Sequence, residues 1–269
     1  MSTAQIDWHL MAEKFDLWIP HIEPVGNAVL AQLDAQPGDN ILDVASGTGE
    51  PALTLARQTA GSVTITGTDS AAGMVGVAQG KVEKEGLKNI SFQTMPAEAL
   101  TFENESFDRV LCRFGVMLFQ DPLQGLREIH RVLKPQGTAA LTVWSTPETM
   151  LTMYWIYSVF KNRIATEFHP PLDKVTSLGV PGAMENLLVE AGFKDFTIEK
   201  REFNYNFESF DAYWDTVEAS EILKVQYDAL PDDQRGEIRD EMAQFARDFI
   251  KEGRLLMPHQ YLLVTAKKS

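Results

Sequence analysis

The chain has 269 residues, 44% of them hydrophobic, which is enough to bury a full core in one large domain. Its 38 acidic and 24 basic side chains give a net charge of −14, which argues against nucleic acid as the main partner because phosphate binding needs basic surface. The single cysteine, Cys112, excludes disulfides within the chain and metal sites built from several thiolates, and it favours a reducing, cytoplasmic location.

Two features argue against a secreted or membrane-spanning protein. The first ten residues lack the basic-then-apolar order of a signal peptide. The longest apolar stretch, residues 150–160, is interrupted by Thr152 and Ser158 and is too short to span a bilayer. We therefore expect a soluble protein.

The first half of the chain alternates helical patterns with short apolar or β-branched runs. This alternation indicates a parallel, doubly wound sheet. In chain order the patterns predict a helix over 16–33, a turn at 37–39, a strand through 41–43, a helix through 53–56, a strand at 63–68 ending at Asp69, a helix at 71–85, strands at 90–94 and 109–113, a helix at 124–133 and a strand at 139–144.

The second half is less regular but contains two more strand patterns. We expect helices at 149–164 and 182–190, a strand at 196–207, two helices within 209–252 and a last strand at 261–266. The predicted fold is therefore an α/β, doubly wound, Rossmann-like sheet of seven mostly parallel strands with an added helical cap. No linker divides the chain, so we predict one domain over 1–269, with cap segments at about 1–30, 145–180 and 208–253.

The sequence ILDVASGTGEPALTLA, residues 41–56, is typical of a strand, a tight glycine turn and a helix, the arrangement of a nucleotide site. An acid, Asp43, stands just before the turn Ser46-Gly47-Thr48-Gly49. A carboxylate there would repel a pyrophosphate but attract a cationic or amine-bearing nucleoside. The pattern therefore favours S-adenosylmethionine, a sulfonium without phosphates, over NAD or ATP.

A second acid, Asp69, ends the second predicted strand, and 69 − 49 = 20 residues separate it from the last loop glycine. This spacing places a carboxylate over the hydroxyls of a bound ribose. The alternative is an N-cap for the helix that follows, because aspartate is favoured there in any case.

With these motifs in order, the chain resembles the class I S-adenosylmethionine-dependent methyltransferases, and within them the bacterial small-molecule group that includes ubiquinone/menaquinone C-methyltransferases. The resemblance covers the chain from about Phe15 to its end. It is carried by LDVASGTGE, GTDSAAGM, PAEALTFENESFDRVLCRFGVMLFQD, EIHRVLKPQGTAALTVW and the tail EGRLLMPHQYLLVTAKK.

The resemblance implies a set of residues around the methyl donor. The loop would hold its methionine part, with Asp43 reaching the amino group, and Asp69 would bind the ribose. Pro96 stands where the family usually has the acid that takes the adenine amino group, so Glu98 or a backbone carbonyl must serve instead. The implied donor-binding residues are Asp43, Ala45, Ser46, Gly47, Thr48, Gly49, Asp69, Ser70, Met74, Ala97, Glu98, Arg113 and Phe114.

Methyl transfer from a sulfonium is an in-line displacement in which the protein mainly aligns the reactants and excludes water. A general base is needed only if the acceptor must lose a proton. The candidate bases are His21 and His169, both in predicted cap segments, and the alternative for each is an ordinary loop histidine. His130 is expected to be solvated or packed, and His259 to lie at a turn before the last strand.

The acceptor pocket is expected over the carboxyl ends of the strands, where many aromatic residues of the predicted cap would lie. This favours an apolar or aromatic small-molecule acceptor, although the same residues could simply form core. The apolar helix at 150–160 could alternatively be a contact in a homodimer. We expect no metal site. The predicted pocket residues are Phe15, Trp18, Met117, Tyr154, Tyr213 and Trp214.

Two other functions stay open on the sequence. An NAD-dependent oxidoreductase is one, because residues 47–52 fit G-x-G-x-x-A and Asp69 fits the ribose acid. A protein that binds the nucleoside without turnover is the other. Neither the identity of the acceptor nor the atom that accepts the methyl group follows from the sequence.

Overall fold

A single sheet with helices on both of its faces forms the centre of the computed structural model, which describes residues 7–220 and 223–269. Its order is β3-β2-β1-β4-β5-β8-β6, with β7 paired to β8 outside this path. Strands β1 to β5 are parallel and β8 alone runs antiparallel to both of its neighbours on the path, so the predicted mostly parallel sheet is confirmed. The strands are β1 Asn40–Val44, β2 Thr64–Asp69, β3 Ile90–Thr94, β4 Phe107–Arg113, β5 Leu133–Trp144, β6 Asp195–Phe207, β7 Ile250–Lys251 and β8 Arg254–Lys267.

The helix ends follow from local chemistry. One long helix starts where the Asp121 carboxylate accepts a hydrogen bond from the backbone N–H of Gln124. Another ends at Gly192, whose φ of 104° places it in the left-handed region that glycine tolerates best. The helices are α1 Trp8–Met11, α2 Ile19–Leu33, α3 Ala52–Thr59, α4 Ala72–Glu85, α5 Pro122–Val132, α6 Leu151–Phe160, α7 Leu172–Val175, α8 Ala183–Ala191, α9 Phe210–Ala219, α10 Lys224–Asp228 and α11 Arg235–Ala246.

Two predictions for the second half were wrong. The described part of segment 209–252 contains three α-helices, α9 to α11, and not two. Strand β8 starts at Arg254 rather than at 261, and it pairs with the whole length of β6 down to Phe207. Pro258 lies where β8 extends past the end of β5, and a strand tolerates proline where one of its edges is unpaired.

The helix α2 packs directly on strands β4, β5, β6 and β8. Its inward residues Val25, Val29 and Leu33 are fully buried. Residues 19–30 of the first predicted cap segment therefore lie in the helix layer of the sheet. The division into domain and cap is still a prediction, and residues 1–6 and 221–222 of the cap segments lie outside the described residues.

The segment between α7 and α8 is held against the end of β5 by a very close backbone approach. A Cβ atom built on Gly179 would lie 2.2 Å from the carbonyl oxygen of Ser145 and 2.3 Å from its carbonyl carbon. Because real Cβ contacts are never this short, only glycine fits here. This contact fixes where the 145–180 region meets the sheet.

His259 lies within β8, fully buried, and not at a turn before the last strand as predicted. Its Nε2 accepts a hydrogen bond from the backbone N–H of Thr152 at 3.1 Å, and its Nδ1 donates to the carbonyl of Met257 at 2.9 Å. The ring also stacks on Tyr205 at 4.3 Å between centroids. His259 therefore joins α6 to β8 as a neutral imidazole.

Burial lowers the pKa of His259 to about 4. Between pH 6.5 and 4 the unfolded chain therefore binds a proton there that the folded chain does not, and the free energy of unfolding falls as the pH falls. We expect this contribution to reach about 3 kcal/mol and to be absent in His259→Gln.

The measurement is urea unfolding of both proteins from pH 7 to pH 4. Burial also raises the pKa of Asp43 and Asp69, which acts in the opposite direction, so the diagnostic quantity is the difference between the two curves. Parallel curves for the wild type and the variant would show that this histidine does not carry the effect.

Across the described residues, no helix has the combined length and apolar character that crossing a bilayer requires.

Candidate functional site

The sheet reverses its direction of growth between β1 and β4. The chain continues from β1 to β2 and β3 on one side, and from β4 to β5 on the other. The loops that follow β1 and β4 therefore diverge and leave a crevice at the carboxyl ends of these strands, which is where doubly wound sheets bind ligands.

The loop after β1 turns through three residues in the left-handed region, with φ values of 56° at Ala45, 54° at Gly47 and 103° at Gly49. A Cβ atom on Gly49 would lie 2.7 Å from Leu53 Cδ1, at the start of α3. The left-handed backbone at Gly47 and Gly49 therefore explains the glycine turn predicted from the sequence. Ala45 and Gly47 are half-buried, whereas Ser46 and Thr48 are buried.

The loop after β4 touches the first loop. Phe114 also has a left-handed φ, 57°, and its ring stacks on Trp144 with centroids 3.8 Å apart. A Cβ atom built on Gly115 would lie 2.6 Å from the Cβ of Ala45. Two non-glycine residues with left-handed backbone, Ala45 and Phe114, thus lie in adjoining loops at the crevice, and such strain is concentrated at functional sites.

Asp43 is a buried carboxyl at the end of β1, and its Oδ2 makes no hydrogen bond within the described part of the chain. Burial raises its pKa well above the usual range, the charge of Arg113 opposes this, and Asp69 and Glu50 add to it. The hydroxyl of Ser46 is likewise buried without a partner among the described residues. Two polar groups with unused hydrogen-bonding capacity therefore lie at one loop.

Asp69 supports the glycine loop. Its Oδ2 accepts a hydrogen bond from Gly47 N–H and its Oδ1 accepts one from Ala71 N–H, each at 2.9 Å. Burial raises its pKa, and these two N–H groups lower it. The N-cap of α4 is Ala71, so the carboxylate does not cap the helix as the alternative prediction had it. Each oxygen retains a lone pair that could accept from a ligand hydroxyl.

The segment 7–18 crosses the same loop. Phe15 Cε1 would lie 3.9 Å from a Cβ at Gly47. The Asp16 carboxylate accepts from the Thr48 hydroxyl at 2.6 Å and pairs with Lys81 at 2.7 Å. Lys81 also donates to the Thr48 carbonyl at 2.9 Å. These contacts bind the segment to the loop and to α4.

The remaining residues of the predicted donor site lie around β2 and β3. Met74 is buried against Ala12 and Ala71, and Ala97 is buried in a short 3-10 turn. The Glu98 carboxylate accepts hydrogen bonds from the backbone N–H groups of Gln120 and Asp121, at 2.7 and 3.2 Å. It therefore supports the loop after β4, and its adenine contact is still a prediction, as is that of the exposed Ser70.

The structure brings together some of the predicted pocket residues. Trp18 lies 6.0 Å from Tyr205 and 6.3 Å from Phe207, and Phe207 lies 5.3 Å from Tyr213, measured between ring centroids. The ring of Trp214 instead packs on Phe210, and its Nε1 donates to Glu218. Met117 is buried in the turn after β4, and Tyr154 is half-buried on α6.

The two candidate bases lie in different groups. His21 is on α2, with its ring 3.9 Å from that of Phe207, and burial lowers its pKa. His169 packs edge-on against Tyr157 of α6 at 5.6 Å. Only His21 therefore shares the aromatic group of Trp18 and Phe207.

Sequence reasoning missed Tyr205, Phe207, Asp16 and Lys81 as parts of this region. The first two had a signal, because aromatic residues at 203, 205 and 207 alternate along one face of β6. No signal in the sequence indicates Asp16 or Lys81, because their contacts depend on how the segment 7–18 crosses the sheet.

A Tyr-x-x-x-Lys pattern, the type of catalytic pair expected in one class of NAD-dependent oxidoreductase, does occur at Tyr157–Lys161. The structure places this pair on α6 and just past its end, with Lys161 exposed and the ring of Tyr157 against His169. It is thus part of the helical region and gives the oxidoreductase alternative no support.

The comparisons with known proteins agree on a methyltransferase family. The model of the ubiE/COQ5 methyltransferase family matches residues 27–169. The ubiquinone/menaquinone biosynthesis C-methyltransferase of Geobacter sulfurreducens is 42% identical over 128 residues, which cover 47% of this chain and 50% of that protein. The demethylmenaquinone methyltransferase of Bacteroides fragilis is 33% identical over 176 residues, covering 61% and 71%. The chain spans about half the length of the first curated relatives it matches.

Solved structures show the same fold at low sequence identity. The YcgJ protein of Bacillus subtilis has a TM-score of 0.59 at 19% identity, covering 91% of this chain and 98% of that one. Phosphoethanolamine N-methyltransferase 2 of Haemonchus contortus, solved with S-adenosyl-L-methionine, has a TM-score of 0.57 at 17% identity, covering 94% and 56%. The Rossmann-like architecture is confirmed, and neither alternative function is favoured. With more than half of its length matched by the family model, the chain belongs to the ubiE/COQ5 methyltransferase family.

Proposed function

We propose that the chain transfers a methyl group from S-adenosylmethionine to a small, apolar or aromatic acceptor by in-line displacement. The observation that carries this proposal is the buried Asp43, whose Oδ2 has no hydrogen-bond partner among the described residues and which lies at the glycine turn of the crevice. An unpaired buried carboxyl is costly in a folded protein, and a cationic ligand would compensate that cost.

The residues present fit this donor. Asp69 and Glu50 act on Asp43 through their charges, so three carboxyl groups lie near the crevice that would receive the ammonium and the sulfonium of the ligand. The free lone pairs of Asp69 suit two ribose hydroxyls. When bound, S-adenosylmethionine supplies a methyl group already activated for displacement, so the chain needs mainly to position the acceptor and exclude water.

The aromatic group at the crevice supports an apolar acceptor. Phe114 and Trp144 stack at the end of β4, and Trp144 continues to Phe203 at 6.0 Å between ring centroids. The ring of Phe203 lies 5.4 Å from that of Tyr205, and the ring of Tyr205 lies 6.0 Å from that of Trp18, measured between centroids. This connected group of buried rings beside the crevice favours a flat or conjugated acceptor, since aromatic pairs gain from stacking beyond simple burial.

Within this proposal, His21 is the candidate base for an acceptor that must lose a proton. Burial lowers its pKa, so the ring is neutral and able to accept a proton at pH 7. The ring belongs to the aromatic group that would hold the acceptor, which His169 does not.

Calorimetry with S-adenosylhomocysteine and with NAD tests the donor assignment. We expect binding of S-adenosylhomocysteine and none, or far weaker, of NAD. Tighter binding of NAD would overturn the proposal.

The acceptor class is tested by release of S-adenosylhomocysteine from S-adenosylmethionine. The panel pairs phenols and naphthols with aliphatic amines and carboxylic acids of similar size. We expect turnover with aromatic members, and turnover confined to the aliphatic ones would contradict the acceptor assignment. Good donor binding with no turnover on any wider panel would favour the non-catalytic alternative.

A further inference from the structure

The indole of Trp18 is a buried hydrogen-bond donor without an acceptor. The residue is 6% exposed, and its Nε1 makes no hydrogen bond within the described part of the chain. An indole N–H can only donate, and a buried donor that gives up water without gaining a partner lowers the stability of the folded protein. The unused N–H therefore fits a ligand atom that accepts a hydrogen bond.

The neighbours of this indole are rings from two elements. Trp18 is the N-cap of α2, and His21 follows one turn later on the same face of the helix. The helix packs on β6, where Tyr205 lies 6.0 Å and Phe207 6.3 Å from Trp18 between ring centroids. We call these four residues, Trp18, His21, Tyr205 and Phe207, the β6 ring group.

His21 supplies the opposite hydrogen-bonding capacity. Burial lowers its pKa, and a hydrogen bond to the backbone of Asn206 partly offsets this. A bond that raises the pKa of a histidine is one that its ring donates, so one ring nitrogen carries the proton and the other has a lone pair. No residue in the described part of the chain donates to that lone pair. The β6 ring group thus contains an unused donor on Trp18 and an unused acceptor on His21.

The β6 ring group lies beside the donor crevice. Arg113, the last residue of β4, interacts through its charge with Asp43 at the start of the glycine loop and with Tyr205 in the β6 ring group. One buried side chain therefore lies near both places. A small molecule held by these rings would be close to the methyl donor.

The β6 ring group also lies outside the part of the chain that the family model matches, residues 27–169. Trp18 and His21 precede that part, and Tyr205 and Phe207 follow it. Membership of the family therefore assigns these four side chains no role, and their function depends on the contacts of this chain.

We propose that Trp18 and His21 together bind a hydroxyl group of the aromatic acceptor, with the Trp18 N–H donating to the hydroxyl oxygen and His21 accepting a hydrogen bond from the hydroxyl. This inference rests on the proposed function and makes Trp18 a specificity-determining residue within it. A hydroxyl both accepts and donates, which matches the two unused groups. An ether or a ketone would leave the His21 lone pair unused, and an apolar substituent would leave both groups unused.

The test compares two probes that differ in one substituent, 2-naphthol and 2-methylnaphthalene, by calorimetric titration of protein saturated with S-adenosylhomocysteine. We expect Trp18→Phe, which keeps a ring but removes the N–H, to weaken binding of 2-naphthol by about 3- to 10-fold, the range of a hydrogen bond between neutral groups. Binding of 2-methylnaphthalene should change by less than about 2-fold. His21→Phe should show the same selectivity, because it removes the acceptor and keeps a ring.

Trp155→Phe is the matched control, since it makes the same change in a buried indole of α6 whose ring packs on Tyr213 and Phe249. It should leave both affinities unchanged. If Trp18→Phe does not fold, the nuclear magnetic resonance signals of the indole N–H groups in the wild type are the second measurement. We expect 2-naphthol to move one of these signals downfield and 2-methylnaphthalene to move none of them downfield.

Equal losses for the two naphthalenes in Trp18→Phe, or no loss for 2-naphthol, would overturn the role assigned to Trp18. The proposed function would stand in that case, because both probes bind the wild type. Binding of S-adenosylhomocysteine but of neither naphthalene would contradict the aromatic acceptor and this inference together. No binding of S-adenosylhomocysteine would overturn the donor assignment, on which the inference also rests.

Discussion

Replacing Asp69 by alanine is expected to weaken binding of S-adenosylhomocysteine by about 1.5–3 kcal/mol, or roughly 10- to 150-fold. The reason is twofold. A carboxylate placed to accept from ribose hydroxyls is lost, and Gly47 N–H loses the acceptor that holds it at 2.9 Å. The measurement is calorimetric titration of protein whose thermal unfolding shows that it is folded.

Asp108→Ala is the matched control for this variant. Asp108 accepts from Lys134 at 2.8 Å and from Asn40 N–H at 2.9 Å, at the amino edge of the sheet. Its removal should affect stability but leave affinity unchanged. An Asp69→Ala protein that binds as tightly as the wild type would refute the role assigned to this carboxylate.

Gly179→Ala is expected to have the largest effect on stability. The new methyl group would lie 2.2 Å from a backbone oxygen of Ser145, and neither chain segment can move without disturbing the end of β5. We expect a loss of about 3 kcal/mol, at the upper end of the range for overpacking. The corresponding fall in melting temperature is about 6–12 °C for a chain of this size.

Gly236→Ala provides the comparison, because a Cβ there would meet no atom within 4 Å. In an exposed position of α11 the substitution should be neutral or stabilise by up to about 1 kcal/mol. A melting temperature of Gly179→Ala within about 2 °C of the wild type would show that the two segments can separate at little cost.

The parallel half of the sheet could be predicted because its strands are short buried runs between turns. β3 was predicted with its observed bounds, 90–94, and Asp69 closes β2 as expected. β8 was predicted too short, since the predicted strand began at 261 and the observed one extends past Pro258 to Arg254. Only the end of the β5 pairing at Tyr261 shows that the proline lies where β8 has a free edge, which tolerates it.

The residues of the candidate site also differ in whether the sequence predicts them. The glycine turn, Asp43 and Asp69 could be found because their signals are local spacings. Arg113 was placed at the donor only through a resemblance, and its charge interaction with Asp43 depends on β1 and β4 being neighbours. The stacking of Trp18 against Tyr205 joins distant parts of the chain, and no pattern in either part predicts it.

The segment 7–18 has a consequence for any measured affinity. Its contacts with Gly47, Thr48 and Lys81 cover the loop that would receive the donor. If donor and segment compete for this loop, the observed dissociation constant is the intrinsic value divided by the fraction of molecules with the loop accessible. Variants of Asp16 would then alter the apparent affinity for the donor although Asp16 does not bind it. Residues that bind the donor can therefore be distinguished from residues that hold the segment only when the fraction of molecules with an accessible loop is measured as well.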